Sequence, residues 1–194
     1  MMAVLVRRSN LLVGINDAAA IRDAWRSSAD AVTLDLAGAD AAARGRLKDA
    51  IASAGQGAAE VFVRVTPESL DVDGAAAVCK GLRGVMLDKV VSAEQVSAAD
   101  AKLAALERGA GLSANSLQLI LVIGTAAAVW HVRAILKASA RASQIVLDEQ
   151  ALASDLKITP ERELDPFEYA RGRIVVESIA AKVMPVGIAY PLSV

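Results

Sequence analysis

The sequence predicts an α/β fold built on a parallel sheet, and three observations carry that expectation. Short β-branched runs alternate with longer Ala/Leu/Arg/Glu segments of helical spacing, which is the pattern of βα units. The run at 117–123, LQLILVI, is apolar at nearly every position, as a strand covered on both faces requires. Aromatic residues make up 3% of a chain that is 55% hydrophobic, so the core has to be aliphatic, with Val, Leu and Ile of strands against alanine-rich helices.

Taken in order, the first strand is 10–14 (NLLVG), followed by a helix over 17–28 that Asn16 or Asp17 can cap. The second strand is 31–36 (AVTLDL). A helix over 40–53 follows, with Ala43, Leu47, Ile51 and Ala54 on one face. The third strand is 60–65 (EVFVRV), the fourth 83–87 (RGVML), and the segment 71–81 between them has room for a short helix. Ser92-Ala93-Glu94-Gln95 reads as a capped start to a long helix. After the fifth strand, 117–123, come a helix over 126–138, a sixth strand at 144–147, a helix over 166–181 and a seventh strand within 183–188. No linker divides the chain, so one domain over 1–194 is expected.

Composition excludes several classes of function. With 21 basic and 22 acidic side chains, net charge −1, there is no basic field to gather phosphate backbones, and few rings on which bases could stack. No nucleic-acid partner is expected. Every apolar run is broken before about 18 residues, so no membrane span is expected either. A single cysteine, Cys79, cannot staple the fold, and the opening MMAVLVRRSN lacks the apolar core of a signal peptide, which together point to a reducing cytoplasm. Gly55-Gln56-Gly57 precedes a strand and so is not a phosphate-binding loop.

Several segments, in matching order, resemble the citrate lyase beta subunit-like branch of the HpcH/HpaI aldolase family. Residues 7–14 (RRSNLLVG) look like its opening R-R-S-x-L-x-x-P-G strand, shortened by one residue. Residues 29–36 (ADAVTLDL) look like its A-D-A-V-I-L-D-L-E-D-A-V strand, and 63–65 (VRV) like V-R-V-N. Residues 84–90 (GVMLDKV) are similar to G-I-M-L-P-K-V, 123–126 (IGTA) fall where the family has I-E-T-A, and 169–175 (YARGRIV) resemble Y-A-R-x-R-V-V. The resemblance implies a TIM-type β/α barrel that makes or cleaves a carbon–carbon bond beside a carbonyl, often on acyl-CoA substrates. At 194 residues and about seven strands, against the roughly 250 residues usual for eight, the barrel is expected to be incomplete.

The departures from the family pattern fall on its chemistry. The resemblance implies a divalent ion, usually Mg²⁺, held by a Glu of I-E-T-A and an Asp of a G-x-x-D-L segment, acting as a Lewis acid on an enolate. Here the first position is Gly124; aligning Asp155-Leu156 with the closing D-L pair puts Ala151 at the second and Asp148 where glycine is usual. The acidic pair after the second strand becomes Ala37-Gly38, the asparagine of V-R-V-N becomes Thr66, and the aspartate of a late I-D-x-P becomes Ala189. Asp35, Arg64, Lys89 and Arg8 survive as substrate-binding remnants, and no cofactor is expected.

Each survivor has a plainer alternative. Arg64 either meets an anion at the strand ends or pairs with Asp35, and Lys89 either adds positive charge there or forms a surface ion pair with Asp88. His131, beside Trp130 in a helix, reads as a surface or packing residue, and Cys79 as a small core residue in an apolar helical stretch. Asp148, Glu149 and Asp155 offer a displaced cation site or, more simply, helix caps.

Two functions follow as expectations. In the first, the chain is a catalytically degenerate member kept as a binding or assembly subunit, a homo-oligomer or the partner of a complete paralogue. In the second, it is an active carbon–carbon lyase or aldolase on an acyl-CoA or small oxo-acid, with Mg²⁺ at a displaced site.

Overall fold

The computed structural model describes residues 7–54, 59–159 and 165–187. Seven strands and nine helices occur among them. Strands and helices alternate as an α/β fold of the TIM-barrel type, with one strand fewer than eight among the described residues. The described residues form two compact units, one of those up to 86 with 103–117 and the other of 87–102 with those from 118 on.

In the first unit, β1 (Asn10–Gly14), β2 (Ala31–Asp35), β3 (Glu60–Val65) and β4 (Leu82–Leu87) lie side by side in chain order. β1 to β3 pair in parallel with no register shift, so Gly14, Asp35 and Arg64 form one row, Leu12, Thr33 and Phe62 the next, and Asn10, Ala31 and Glu60 the last. Side chains alternate along a strand, so these rows share one face. The other face is aliphatic, with Val32, Leu34, Val61 and Val63 buried under the helices.

α1 (Ala18–Arg26) starts at Asp17, whose carboxylate accepts from the Ala19 and Ala20 amides at 3.0 and 2.9 Å; Asn16 is not the cap. The expected helix over 40–53 is two helices, α2 (Ala41–Gly45) and α3 (Leu47–Ser53). The break falls where Arg46 turns its amide back to Ala43, yet Ala43, Leu47, Ile51 and Ala54 all stay buried because the hydrophobic phase survives it. α4 (Leu70–Ala77) is the short helix for which 71–81 has room, and it ends as Val78 turns extended. Cys79 therefore sits half-buried in the following turn and not inside a helix.

In the second unit, β5 (Gln118–Ile123), β6 (Ala142–Leu147) and β7 (Met184–Val186) follow in chain order, each parallel to the next. β5 is buried at five of six positions, as its sequence requires. The expected helix over 126–138 is again two, α6 (Ala126–Trp130) and α7 (Val132–Lys137), because His131 leaves helical geometry at φ −96°, ψ 13°. α8 (Glu149–Leu156) begins with no loop after β6, and α9 (Glu168–Ala180) covers most of the span expected for a helix.

The long helix α5 (Ala93–Gly109) starts as its sequence indicates: Ser92 Oγ accepts from the Gln95 amide, and Gln95 Oε1 accepts from the Val91 amide at 2.8 Å. No described helix is long and apolar enough to cross a membrane. The residues read as Gly55-Gln56-Gly57 and as Ala189 lie outside the described residues.

Candidate functional site

Barrel chemistry is sited at the C-terminal ends of strands. In the first unit those ends carry Asp35 and Arg64, brought abreast by the β2–β3 register. Arg64 Nη1 donates to Asp35 Oδ2 at 3.1 Å, both side chains being about a quarter exposed or less. The second carboxylate oxygen, Oδ1, accepts from the Ala37 amide at 2.9 Å and so shapes the turn leaving β2. On the other side of Asp35 the row ends in Gly14, and a Cβ built there meets nothing within 4 Å. The result is a half-buried ion pair with open space beside it.

Arg8 belongs elsewhere. It precedes β1, at the opposite end of the sheet from Asp35, and is itself exposed while it pairs with Asp30, which precedes β2, at 2.9 Å. That hydrogen bond holds the Asp30 carboxyl down at about 2. At the same N-terminal end, Glu60 is shared between Arg7, which also lies over the Phe62 ring, and Arg83, 2.8 Å away. Sequence reasoning missed this trio; its only signal is Glu60 starting a strand otherwise apolar as far as Arg64.

The second unit contains both positions where the family resemblance implies metal ligands. Gly124 follows β5 and is buried; Asp148 follows β6 and its amide donates to the Ile123 carbonyl at 2.8 Å. Because α8 starts at once, its first turn lies directly on Gly124. A Cβ built on Gly124 would be 2.5 Å from the Ala151 Cβ, 3.2 Å from the Asp148 carbonyl oxygen and 3.3 Å from the Asp148 Cβ. A glutamate side chain therefore has no room to leave position 124, and the residues present do not fit a divalent ion there.

The acids suggested as a displaced site are spent separately. Asp148 Oδ1 caps α8 through the Ala151 amide at 2.9 Å. Asp155 Oδ2 accepts from the Ala126 amide at 2.8 Å, capping α6. Glu149 is bound by Arg171 through two hydrogen bonds, and Arg171 also reaches Asp165. Among the described residues no group of three His, Cys, Asp or Glu side chains is placed to hold a metal. Glu149 and Arg171 edge a cavity of about 200 Å³ at the C-terminal ends of β6 and β7, walled by Leu147, Ile174, Pro185 and Val186.

Lys89 follows β4 in the left-handed region, at φ 56°, with its side chain exposed, whereas its neighbour Asp88 is buried. One member of the anticipated surface pair is thus inside the protein. His131 is exposed at the α6–α7 junction, in line with its surface reading, and burial raises the Cys79 thiol above its ordinary range, which keeps it protonated.

Parallel strands in chain order and a charged pair at the strand ends define an α/β protein of the TIM-barrel class. The pattern of the HpcH/HpaI aldolase/citrate lyase family matches residues 8–191, and the chain belongs to that family.

Among solved structures, it is similar to malate synthase from Haloferax volcanii in a pyruvate/acetyl-CoA ternary complex. That match has TM-score 0.77 at 16% identity and covers 96% of this chain and 60% of that one. It is also similar to an HpcH/HpaI aldolase/citrate lyase family protein from Burkholderia cenocepacia J2315 (TM-score 0.73, 18% identity, 91% of this chain and 77% of that one). A third similarity is to the citrate synthase SbnG (TM-score 0.69, 19% identity, 91% and 75%). At these identities the likeness is one of fold. No curated protein sequence matches.

Proposed function

We propose that this chain is a family member without the family's metal-dependent carbon–carbon chemistry, acting as a binding or assembly subunit, as a homo-oligomer or beside a complete paralogue. The observation that carries this reading is the contact of α8 with Gly124. Removing a ligand leaves a vacancy that a nearby acid could fill; here the Ala151 methyl occupies the vacancy, and the nearby acids cap helices or bind Arg171.

The Asp35–Arg64 pair supports retained binding of a small carboxylate or of the acyl end of an acyl-CoA. Arg64 already offers charge-assisted donors at a strand end, and the Gly14 gap leaves room beside the pair. On the cysteine usage read above, the chain's compartment is the cytoplasm.

Calorimetric titration with Mg²⁺ and Mn²⁺ tests the loss of metal chemistry. No heat of binding is expected; saturable, stoichiometric binding would overturn the proposal and favour an active lyase with a displaced ion.

A further inference from the structure

The helix α9 turns Ala170, Ile174, Glu177 and Ser178 inward. Its outward face is where a surface helix ordinarily carries charge. Here that face holds Tyr169, Gly172, Val175, Val176 and Ile179, with Val176 68% and Ile179 63% exposed. Scattered exposed apolar residues are ordinary; a continuous stripe of them marks a contact surface. Residues 168, 172, 175 and 179 recur at intervals of four, three and four, the spacing of a seam between two packed helices. On the flank of the stripe, Trp130 is 62% exposed and held by Arg173. The Arg173 guanidinium lies 5.0 Å from the indole centroid and donates to the Trp130 carbonyl at 2.7 Å and to Tyr169 Oη at 2.9 Å. Trp, Tyr and Arg are the residues that most often carry binding energy at interfaces.

The charges and shapes along the seam say what lies against it. Glu168 stands exposed at its N-terminal end and Lys182 exposed just past its C-terminal end. Two α9 helices packed in parallel would set Glu168 against Glu168 and Lys182 against Lys182. Packed antiparallel about a two-fold axis near Val175 and Val176, each Glu168 meets Lys182 of the second copy. In the same arrangement each Ile179 meets Gly172 of the second copy, and a Cβ built on Gly172 has nothing within 4 Å, so no side chain keeps the isoleucine from close approach there. A two-fold contact of this kind is self-complementary and needs no other partner.

We infer that the outward face of α9 is a homodimer interface, formed by antiparallel packing of α9 against α9 of a second copy. This deepens the assembly reading above by naming its surface. A single seam of this length buries an area at the low end for stable interfaces, so the dimer should dissociate in the micromolar range.

Sedimentation velocity over a concentration series tests the interface. Wild type should show a concentration-dependent dimer. Ile179→Asp should weaken it by at least about tenfold. Glu168→Lys and Lys182→Glu should each weaken it, and the double exchange Glu168→Lys/Lys182→Glu should recover most of the loss, because the pair forms again with its signs reversed. All three positions are exposed, and unchanged circular dichroism and thermal midpoints would confirm folding. A protein that is monomeric throughout, or a double exchange no better than the single ones, would overturn the interface. An oligomer indifferent to Ile179→Asp would also overturn it while leaving the assembly reading intact.

Discussion

The Cβ that Gly124 lacks would lie 2.5 Å from the Cβ of Ala151. Two positions read from the sequence as two separate missing ligands are thus one packing contact. Their small side chains are matched to each other, which lets the first turn of α8 settle onto the end of β5.

This contact makes a strong forecast for variants. Gly124→Ala should cost about 1–3 kcal/mol through overpacking, read from urea denaturation. Adding Ala151→Gly should return much of that loss, since it removes the atom in the way; additive losses would show that the two positions are not coupled. The pair Gly124→Glu/Ala151→Asp should lose stability without gaining Mg²⁺ affinity.

Asp35 and Arg64 should be coupled but modestly. Both are partly solvated, so a double-mutant cycle with Asp35→Asn and Arg64→Met should give an interaction of about 0.5–1 kcal/mol. A coupling near zero would mean that the pair is held together by the strands and contributes nothing itself.

Asp30 should titrate abnormally low. Its ordinary value is 3.8 and Arg8 holds it at about 2, so the folded state binds its proton more weakly than the unfolded chain. Its contribution to stability is therefore complete above pH 4 and is lost as pH falls from about 4 towards about 2. Carboxyl chemical shifts followed through a pH titration should show the low midpoint in wild type and a return towards 3.8 in Arg8→Ala.

Glu107 should matter more than any exposed acid. It is 1% exposed, and its carboxylate accepts from the Asn115 and Leu117 amides at 3.0 and 2.8 Å and from Ser116 Oγ. Glu107→Ala would strip these donors, the buried Leu117 amide among them, of their partner, at a cost of about 1–3 kcal/mol in chemical denaturation. Glu107→Gln keeps one acceptor oxygen and should cost less.

Lys89→Gly should stabilise the chain by up to about 1 kcal/mol, measured as a raised denaturation midpoint, because φ 56° strains any residue with a Cβ.

Strand positions were legible because they rest on local alternation: 10–14 and 60–65 match the observed strands to the residue, and β5 is marked by being apolar nearly throughout. The Asp35–Arg64 pair was legible as one of two readings, since parallel strands of matching length set their ends abreast. Helix breaks at Arg46 and His131 were not, because neither residue is a breaker by type and the hydrophobic phase runs on past both. Nor was the place of Arg8, since a motif gives its neighbours in sequence but not the end of the sheet at which it stands.

By itself the sequence determined an α/β chain of about seven strands, the family to which it is related, and the absence of acidic side chains at 124 and 151. These follow from composition, period and residue identity, which need no coordinates. Only the tertiary structure decided that the gap at Gly124 is filled by Ala151, that Asp148, Glu149 and Asp155 go to three different partners, and that the outward face of α9 is apolar and uncovered. Each of those depends on how elements distant in sequence pack, and packing is set by the space between side chains, which no single position in the sequence records.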